Sequence, residues 1–205
     1  MTLKIPLWRH KLIIIRIKIF TKEVGIMSKI INKQEAEKTA FDFFEKNFNI
    51  ADAIFKGEFA TNLSKILEIL KIKVVIQPLN KIEEITGKTG ISGLLLKDGD
   101  DYTIFLEEND SLERRRFTTS HEIAHKLLNH ISDTDAVSIS YRDDYAKKGN
   151  DPEEIAANAF AAALLMPEPI IRHVYTLTAD ISATARYLSV SDSAAKNRLI
   201  NLGIL

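Results

Sequence analysis

Apolar residues recur at helical spacing in two segments near the start of the chain. Residues 33–48 place one set of them near a single helical face, and residues 59–71 place another. The positions are Ala36, Ala40, Phe43, Phe44 and Phe48 in the first segment and Phe59, Leu63, Ile66, Leu67 and Leu70 in the second. An apolar stripe of this kind is typical of a helix that packs one face on a core, so both segments are predicted to be helices.

Three short apolar runs in the middle of the chain have the composition of β-strands. Residues 73–76, Lys-Val-Val-Ile, are rich in β-branched side chains and are followed by Pro78. Residues 91–96 and residues 102–106 flank the turn cluster 98–101, Asp-Gly-Asp-Asp. The second and third runs are therefore predicted to form a hairpin that leads into the next helix.

Two longer helices are predicted in the second half of the chain. The first begins near Ser111 and runs to about Ile131, because its apolar residues form a core-facing stripe. A polar loop follows over residues 132–150. The second helix occupies residues 151–166, because an acidic N-cap and a proline at the first helical position mark its start. The last forty residues are predicted to form two or three short helices.

These elements predict an α+β fold, in which a small antiparallel or mixed sheet packs on the two longer helices. We expect residues 27–178 to form the core domain and residues 179–205 to form a C-terminal helical segment packed on it. Residues 1–26 hold six basic residues and one acidic residue, a net charge of +5, which leaves −5 on the rest of this neutral chain. We expect them to be an extension outside the core domain; an edge strand or a membrane-surface stretch is the other interpretation.

The composition excludes several kinds of site. The chain has no cysteine, so it has no disulfide, no thiolate metal ligand and no cysteine nucleophile, and any metal must bind nitrogen and oxygen. The acidic balance after residue 26 argues against a general polyanion-binding surface. The longest aliphatic run of the leading segment, residues 12–15, is too short to span a membrane, and no signal-peptide cleavage site follows it. We therefore expect a cytoplasmic protein without a membrane span.

Residues 121–125, His-Glu-Ile-Ala-His, have the pattern of a zinc-binding helix. His121 and His125 are four residues apart and lie on one helical face, so both can bind the same ion. Glu122 is displaced around the helix and is the expected general base for the attacking water, which a zinc ion would polarise. The competing interpretation is a surface helix with two solvated histidines, but the apolar stripe of the same helix argues against it.

A catalytic zinc ion usually has three protein ligands and one water, so a third ligand is needed. Spacing leaves Glu153 and Glu154, at the start of the second longer helix, as the best-placed carboxylates. The pattern of residues 151–154 is also typical of a capping box, in which Glu154 would reach back to the cap instead. His173 is a weaker candidate, and His130 is expected to turn away from the metal-facing side at the helix end.

Two blocks of the chain resemble the ImmA/IrrE family of metallopeptidases. They are residues 116–125, RFTTSHEIAH, and residues 154–167, EIAANAFAAALLMP, and the resemblance extends over residues 60–205. It implies a gluzincin-like site in which Glu154, four residues before Asn158, is the third ligand. The resemblance also implies that Asn158 has a structural role and orients the backbone. Ala156 occupies a position at which many relatives carry another acidic residue. The implied metal is Zn²⁺, and a His/His/Glu site also accepts Mn²⁺.

The resemblance also implies a class of substrate. The family is associated with cleavage of a helix-turn-helix repressor or antitoxin, which derepresses a stress-response, mobile-element or toxin–antitoxin operon. We therefore expect a protein partner of this kind and no direct nucleic-acid binding. Substrate selection is expected in loop 132–150 and around the sheet. Tyr141, Arg142 or Tyr145 could reach the cleft and stabilise an oxyanion, although exposed loop residues are the simpler interpretation.

Two other functions remain open from the residues alone. Residues 183–199 have the cadence of a helix-turn-helix, with Lys196 and Arg198 as candidate phosphate contacts, which would make this part a DNA-binding module. We favour helical packing against the core instead. The second alternative keeps the metal but not the catalysis, as in a structural or sensory site of a toxin–antitoxin partner, and it would not require Glu122.

Overall fold

The structure, a computed structural model, describes residues 31–87, 89–131, 137–141 and 151–205. The predictions for residues 1–26 lie outside the described residues, as do those for most of loop 132–150. The proposed oxyanion role of Tyr141, Arg142 or Tyr145 also lies outside them, because only the backbone of Tyr141 is described.

Within the described residues the chain forms nine helices and four strands, which confirms the α+β prediction. The helices are α1 (Lys33–Asn47), α2 (Ile50–Lys56), α3 (Leu63–Ile69), α4 (Asn80–Thr86), α5 (Leu112–Leu127), α6 (Pro152–Leu165), α7 (Glu168–Thr178), α8 (Ile181–Leu188) and α9 (Asp192–Asn201). The strands are β1 (Ile72–Gln77), β2 (Ile91–Asp98), β3 (Asp101–Glu107) and β4 (Val137–Tyr141). The sequence pattern did not predict α2, α4 or β4.

The four strands form one mixed sheet in the order β1-β3-β2-β4. Strand β1 is parallel to β3, and β2 is antiparallel to both β3 and β4. The predicted hairpin is β2 and β3, with Leu95 opposite Ile104. Strand β4 corrects the prediction that 132–150 is all loop. Its sequence, Val-Ser-Ile-Ser-Tyr, has the alternation of a strand, which the polar residues on both sides obscure.

The two central strands, β2 and β3, bury side chains on both faces of the sheet, and successive side chains of each strand point to opposite sides. Leu95 and Ile104 belong to the main core, which includes residues of α1, α5, α6 and the C-terminal helices. Their neighbours Leu94 and Phe105 belong to a second, smaller core that contains Ile82 of α4. The main core is therefore the one that holds the two longer helices in place.

Helix α5 ends at Leu127, earlier than the predicted end near Ile131. Asn129 adopts the left-handed conformation, with φ of 57°. The N–H of His130 then donates to the carbonyl of His125 at 2.9 Å, and the N–H of Asn129 donates to that of Lys126 at 3.3 Å. This pair of bonds is a Schellman cap, which reverses the chain and returns His130 towards the helix.

Helix α6 is the central helix of the main core. Asp151 caps it by accepting from the N–H of Glu153 at 3.0 Å, and Pro152 begins it, as predicted. Its many buried alanines allow α1 and α5 to pack closely on either side. In the described part of the chain no single helix is long and apolar enough to cross a membrane, and α6 with α7 would pass that test only as a pair bent by 56°.

Helices α8 and α9 have the predicted helix-turn-helix cadence, and Val190 in the turn is buried in the main core. Arg198 of α9, however, is only 5% exposed. Its Nη1 donates to Glu37 of α1 at 2.8 Å, and its Nε donates to the carbonyl of Met166 at 3.3 Å. Arg198 is therefore not placed as the candidate phosphate contact of the DNA-binding alternative, because its guanidinium joins α9 to α1 and to the end of α6.

Candidate metal centre

Helix α5 places His121 and His125 side by side in the interior. The two residues are 2% and 3% exposed, which removes the interpretation of solvated surface histidines. Their Nε2 atoms lie 2.9 Å apart. Two imidazole nitrogens at this distance attract each other only when they share a proton or bind the same cation.

Glu154 of α6 completes the cluster from the neighbouring helix. Its Oε2 lies 3.2 Å from Nε2 of His121, and its Oε1 lies 3.6 Å from Nε2 of His125. Spacing had left Glu153 and Glu154 as alternative third ligands. Of these two residues, Glu154 is the one that lies against both histidines. Glu154 is in the first turn of α6, where the positive end of the helix dipole favours an ionised carboxylate.

The three side chains have the geometry of a metal site. A tetrahedral zinc ion with bonds of about 2.0–2.1 Å holds adjacent ligand atoms about 3.4 Å apart. The two Nε2 atoms lie 2.9 Å apart, and each lies 3.2 or 3.6 Å from a different oxygen of Glu154, so the observed separations bracket that value. Two imidazole nitrogens and a carboxylate oxygen are also ligands that zinc accepts. Among the described residues, His121, His125 and Glu154 form a group that could hold a metal ion.

Both histidines are held from behind through their Nδ1 atoms. Nδ1 of His121 lies 2.9 Å from Oδ1 of Asn158, and Nδ1 of His125 lies 3.1 Å from Nδ1 of His130. The amide oxygen of Asn158 can only accept, so His121 donates from Nδ1 and keeps the Nε2 lone pair for a metal. The same assignment for His125 requires His130 to accept at Nδ1.

These contacts give Asn158 and His130 roles that the sequence prediction missed. Asn158, which was expected to orient the backbone, contacts the ring of His121 through its side-chain oxygen. His130 does not turn away, because the Schellman cap brings it back against His125. Helical spacing cannot find His130, since it lies beyond the helix. The sequence signal for it is Asn129, a residue type that tolerates the left-handed conformation.

The electrostatics of the cluster follow from its burial and its carboxylates. Burial acts to lower the pKa of His121, but the hydrogen bond that it donates to Glu154 and the charges of Glu122 and Glu154 outweigh it, so the pKa is raised. Burial lowers the pKa of His130, against the opposing charges of Glu153 and Glu154. His130 is therefore held in the neutral form that can accept a hydrogen bond from His125.

Glu122 lies next to His121 on α5 and is fully buried, at 0% exposure. Its carboxylate is near enough to contribute to the raised pKa of His121. A buried carboxylate beside a metal site can accept a proton from a water and pass it on. The chemistry available at this cluster is therefore metal binding with an adjacent proton acceptor.

The remaining histidine candidate lies elsewhere. His173 is on α7, where its ring packs near Phe59 with the ring centroids 5.9 Å apart. The apolar environment of the C-terminal helices explains its presence without a ligand role. It does not belong to the metal-binding group found among the described residues.

Comparison of the sequence with models of known protein families identifies a family to which this chain is similar. The model of a peptidase family, described as the IrrE N-terminal-like domain, matches residues 67–200. This region contains α5, α6 and the whole His121, His125 and Glu154 cluster. A search of curated proteins found no match. Because the family match covers well over half of the chain, the protein belongs to the IrrE N-terminal-like peptidase family, in agreement with the resemblance to ImmA/IrrE metallopeptidases.

Proposed function

We propose that this chain is a zinc-dependent peptidase with His121, His125 and Glu154 as metal ligands and Glu122 as the general base. The observation that carries the proposal is the convergence of two imidazole Nε2 atoms and one carboxylate group, with contacts of 2.9 to 3.6 Å between them, in a buried site beside a buried carboxylate. Membership of a peptidase family supports the same reaction. A purely structural metal site would not explain why a second carboxylate, that of Glu122, is buried next to the ligands.

Different residues of the chain have different roles in the proposed hydrolysis. When bound, a zinc ion supplies Lewis-acid polarisation of the attacking water and of the scissile carbonyl. Glu122 accepts the proton of that water and later donates it to the leaving amine. Asn158 and His130 hold the two imidazole rings so that their Nε2 lone pairs face the metal position. Manganese remains an alternative metal for the same ligands.

The proposed substrate is a helix-turn-helix repressor or antitoxin, and its cleavage would derepress a stress-response or toxin–antitoxin operon. This part of the proposal rests on the resemblance to ImmA/IrrE proteins. The burial of Arg198 supports it indirectly, because a paired arginine between α1, α6 and α9 is unavailable to bind DNA phosphates. The alternative of a DNA-binding module is therefore not favoured.

The experiment is incubation of the zinc-loaded protein with a candidate substrate, any small helix-turn-helix protein found encoded beside its gene, followed by intact-mass spectrometry. We expect two product fragments whose masses add up to that of the substrate plus one water. The absence of fragments at any zinc or manganese concentration would contradict the peptidase proposal for that partner.

Two matched variants test the ligand assignment in the same assay. Glu154→Gln should bind little zinc and cleave nothing, because a neutral amide is a poor zinc ligand. Glu153→Gln, one residue away on the same helical turn, should bind zinc and cleave like the unmodified protein. Loss of zinc in Glu153→Gln, with retention in Glu154→Gln, would reverse the assignment.

A further inference from the structure

A groove of about 430 Å³ lies beside the candidate metal centre, between the start of α1, one side of α6, and α9. We call it the α6–α9 groove. Its volume falls within the roughly 300–1,000 Å³ of typical ligand sites. Glu154 and Asn158 line one end of it, and the same two residues contact His121. The groove therefore adjoins the metal centre through Glu154 and Asn158.

The α6–α9 groove is open because small side chains line part of it, and its walls are apolar. Ala159 and Ala162 of α6 and Ala194 of α9 line the groove, and none extends beyond a methyl group. Ile155 and Ile200 also line it and are 41% and 49% exposed. Exposed isoleucines around a concave surface indicate a site for an apolar ligand.

The part of the groove lined by α1 and α9 is more polar. Asn197 and Asn201 are exposed there and offer amide donors and acceptors that suit a peptide backbone. The charged residues are paired with one another: Arg198 lies 2.8 Å from Glu37, and Lys33 lies 3.9 Å from the same residue. A neutral chain with polar backbone groups fits this arrangement better than a strongly charged ligand.

We propose that the α6–α9 groove binds an extended segment of the substrate polypeptide, on one side of the scissile bond. The side chains of that segment that lie between α6 and α9 are small or unbranched and apolar. The proposal rests on the proposed peptidase function. From Glu154 to Met166 the helix rises about 18 Å, at about 1.5 Å per residue. An extended chain advances about 3.3 Å per residue, so about five substrate residues fit along the groove.

The test places a large side chain at the rim of the groove. Asn197→Trp introduces an indole at an exposed position of α9, which should obstruct the groove without disturbing the core. Lys196→Trp is the matched control, because Lys196 is exposed on the same helix and does not line the groove. The probe is a mixed-sequence library of internally quenched decapeptides, with zinc affinity measured in parallel.

We expect Asn197→Trp to lower kcat/KM by at least tenfold, chiefly through a higher KM, at unchanged zinc affinity. Lys196→Trp should match the unmodified protein in both measurements. Equal KM values for Asn197→Trp and the unmodified protein would overturn the groove proposal while leaving the peptidase proposal intact.

A binding measurement separates failure of the groove from failure of the peptidase. Fluorescein-labelled decapeptides from the same library are titrated with zinc-loaded Glu122→Gln protein, with and without Asn197→Trp, and followed by anisotropy. Binding that Asn197→Trp weakens at least tenfold supports the groove even if no peptide is cleaved. Absence of binding, or binding that Asn197→Trp leaves unchanged, would overturn it.

Discussion

The two metal-facing histidines are held by different kinds of neighbour. His121 donates to an amide oxygen, that of Asn158, whose chemistry fixes the direction of the hydrogen bond. His125 faces another imidazole, that of His130, which can accept only while it is neutral at Nδ1. In the described part of the chain, Nε2 of His130 is buried without a hydrogen-bond partner. The orientation of His125 thus depends on His130, a residue that is not one of the candidate metal ligands.

His130→Leu tests this dependence. Removal of the acceptor leaves Nδ1 of His125 without its partner, and loss of such an outer contact typically costs about 10–100-fold in metal affinity. We expect a zinc affinity lower by this factor in a competition titration against a chelating dye. His130→Gln supplies a carbonyl acceptor and should recover part of the loss. Wild-type affinity in His130→Leu would show that His130 does not position His125.

The raised pKa of His121 predicts opposite pH trends with and without zinc. In the zinc-free protein the contact of protonated His121 with Glu154 stabilises the fold. That contribution is complete below about 6.5, the ordinary histidine pKa, and is lost as the pH rises through the raised value. Zinc needs the deprotonated ring, so its affinity falls as the pH decreases through the same range.

Urea unfolding over a pH series, with and without zinc, measures both trends. We expect the zinc-free free energy of unfolding to decrease with rising pH and the stabilisation by zinc to increase. Glu154→Gln should weaken the first trend, because the hydrogen bond and the charge of Glu154 that raise the pKa of His121 are gone while Glu122 remains. A zinc-free protein whose stability rises over this range would contradict the assigned contact.

At the scale of elements, the position of α5 depends on a close approach to the sheet at Gly93 of β2. A Cβ atom added to Gly93 would lie 2.5 Å from Cγ2 of Thr118 and 2.9 Å from the carbonyl oxygen of Phe105. Thr118 is buried one turn before His121 on the same helix. Gly93 therefore allows the histidine-bearing helix to lie directly on the hairpin.

Gly93→Ala should destabilise the protein by about 1–3 kcal/mol, the usual range for overpacking a core. Thermal or urea unfolding measures the change. The double variant Gly93→Ala/Thr118→Ser removes the nearest clashing atom and should recover part of the loss, although the carbonyl oxygen of Phe105 remains close. Unchanged stability in Gly93→Ala would mean that α5 and β2 are packed less closely than described.

Three kinds of local sequence signal predicted most of the elements. Apolar periodicity gave α1, α3 and α5, the acidic N-cap and proline marked the start of α6, and the turn cluster 98–101 marked the β2–β3 hairpin. These signals missed the short helices α2 and α4, because α2 buries none of its residues and α4 has no side-chain N-cap. They missed β4 because polar flanks surround it, and they placed the end of α5 too late because the Schellman cap depends on Asn129.

At the scale of the whole molecule, two arginines join the C-terminal helices to the rest of the main core. Arg116 donates to the carbonyls of Ser189 at 3.0 Å and Thr61 at 2.9 Å, and Arg198 donates to Glu37 and to the carbonyl of Met166. Burial lowers the pKa of Arg116 from its very high ordinary value. The C-terminal helices are thereby tied to the helix of the histidine motif and to α6.

The candidate site was predictable from sequence only in part. His121, Glu122 and His125 follow from spacing on one helix, but the choice of Glu154 needed the family resemblance, because spacing favoured it only slightly over Glu153. Asn158 and His130 could not be assigned, since their roles depend on the crossing of α5 and α6 and on a reversed chain. The extension 1–26 and the domain boundaries stay predictions.

The central claim is that metal binding and catalysis at this site are carried by different residues, and the Glu122→Gln variant tests it most directly. Zinc content by atomic absorption and cleavage of the partner protein by mass spectrometry are measured on the same preparation. We predict a full complement of zinc and a cleavage rate lower by at least about 100-fold, the usual contribution of a general base. Cleavage at the unmodified rate would contradict the account.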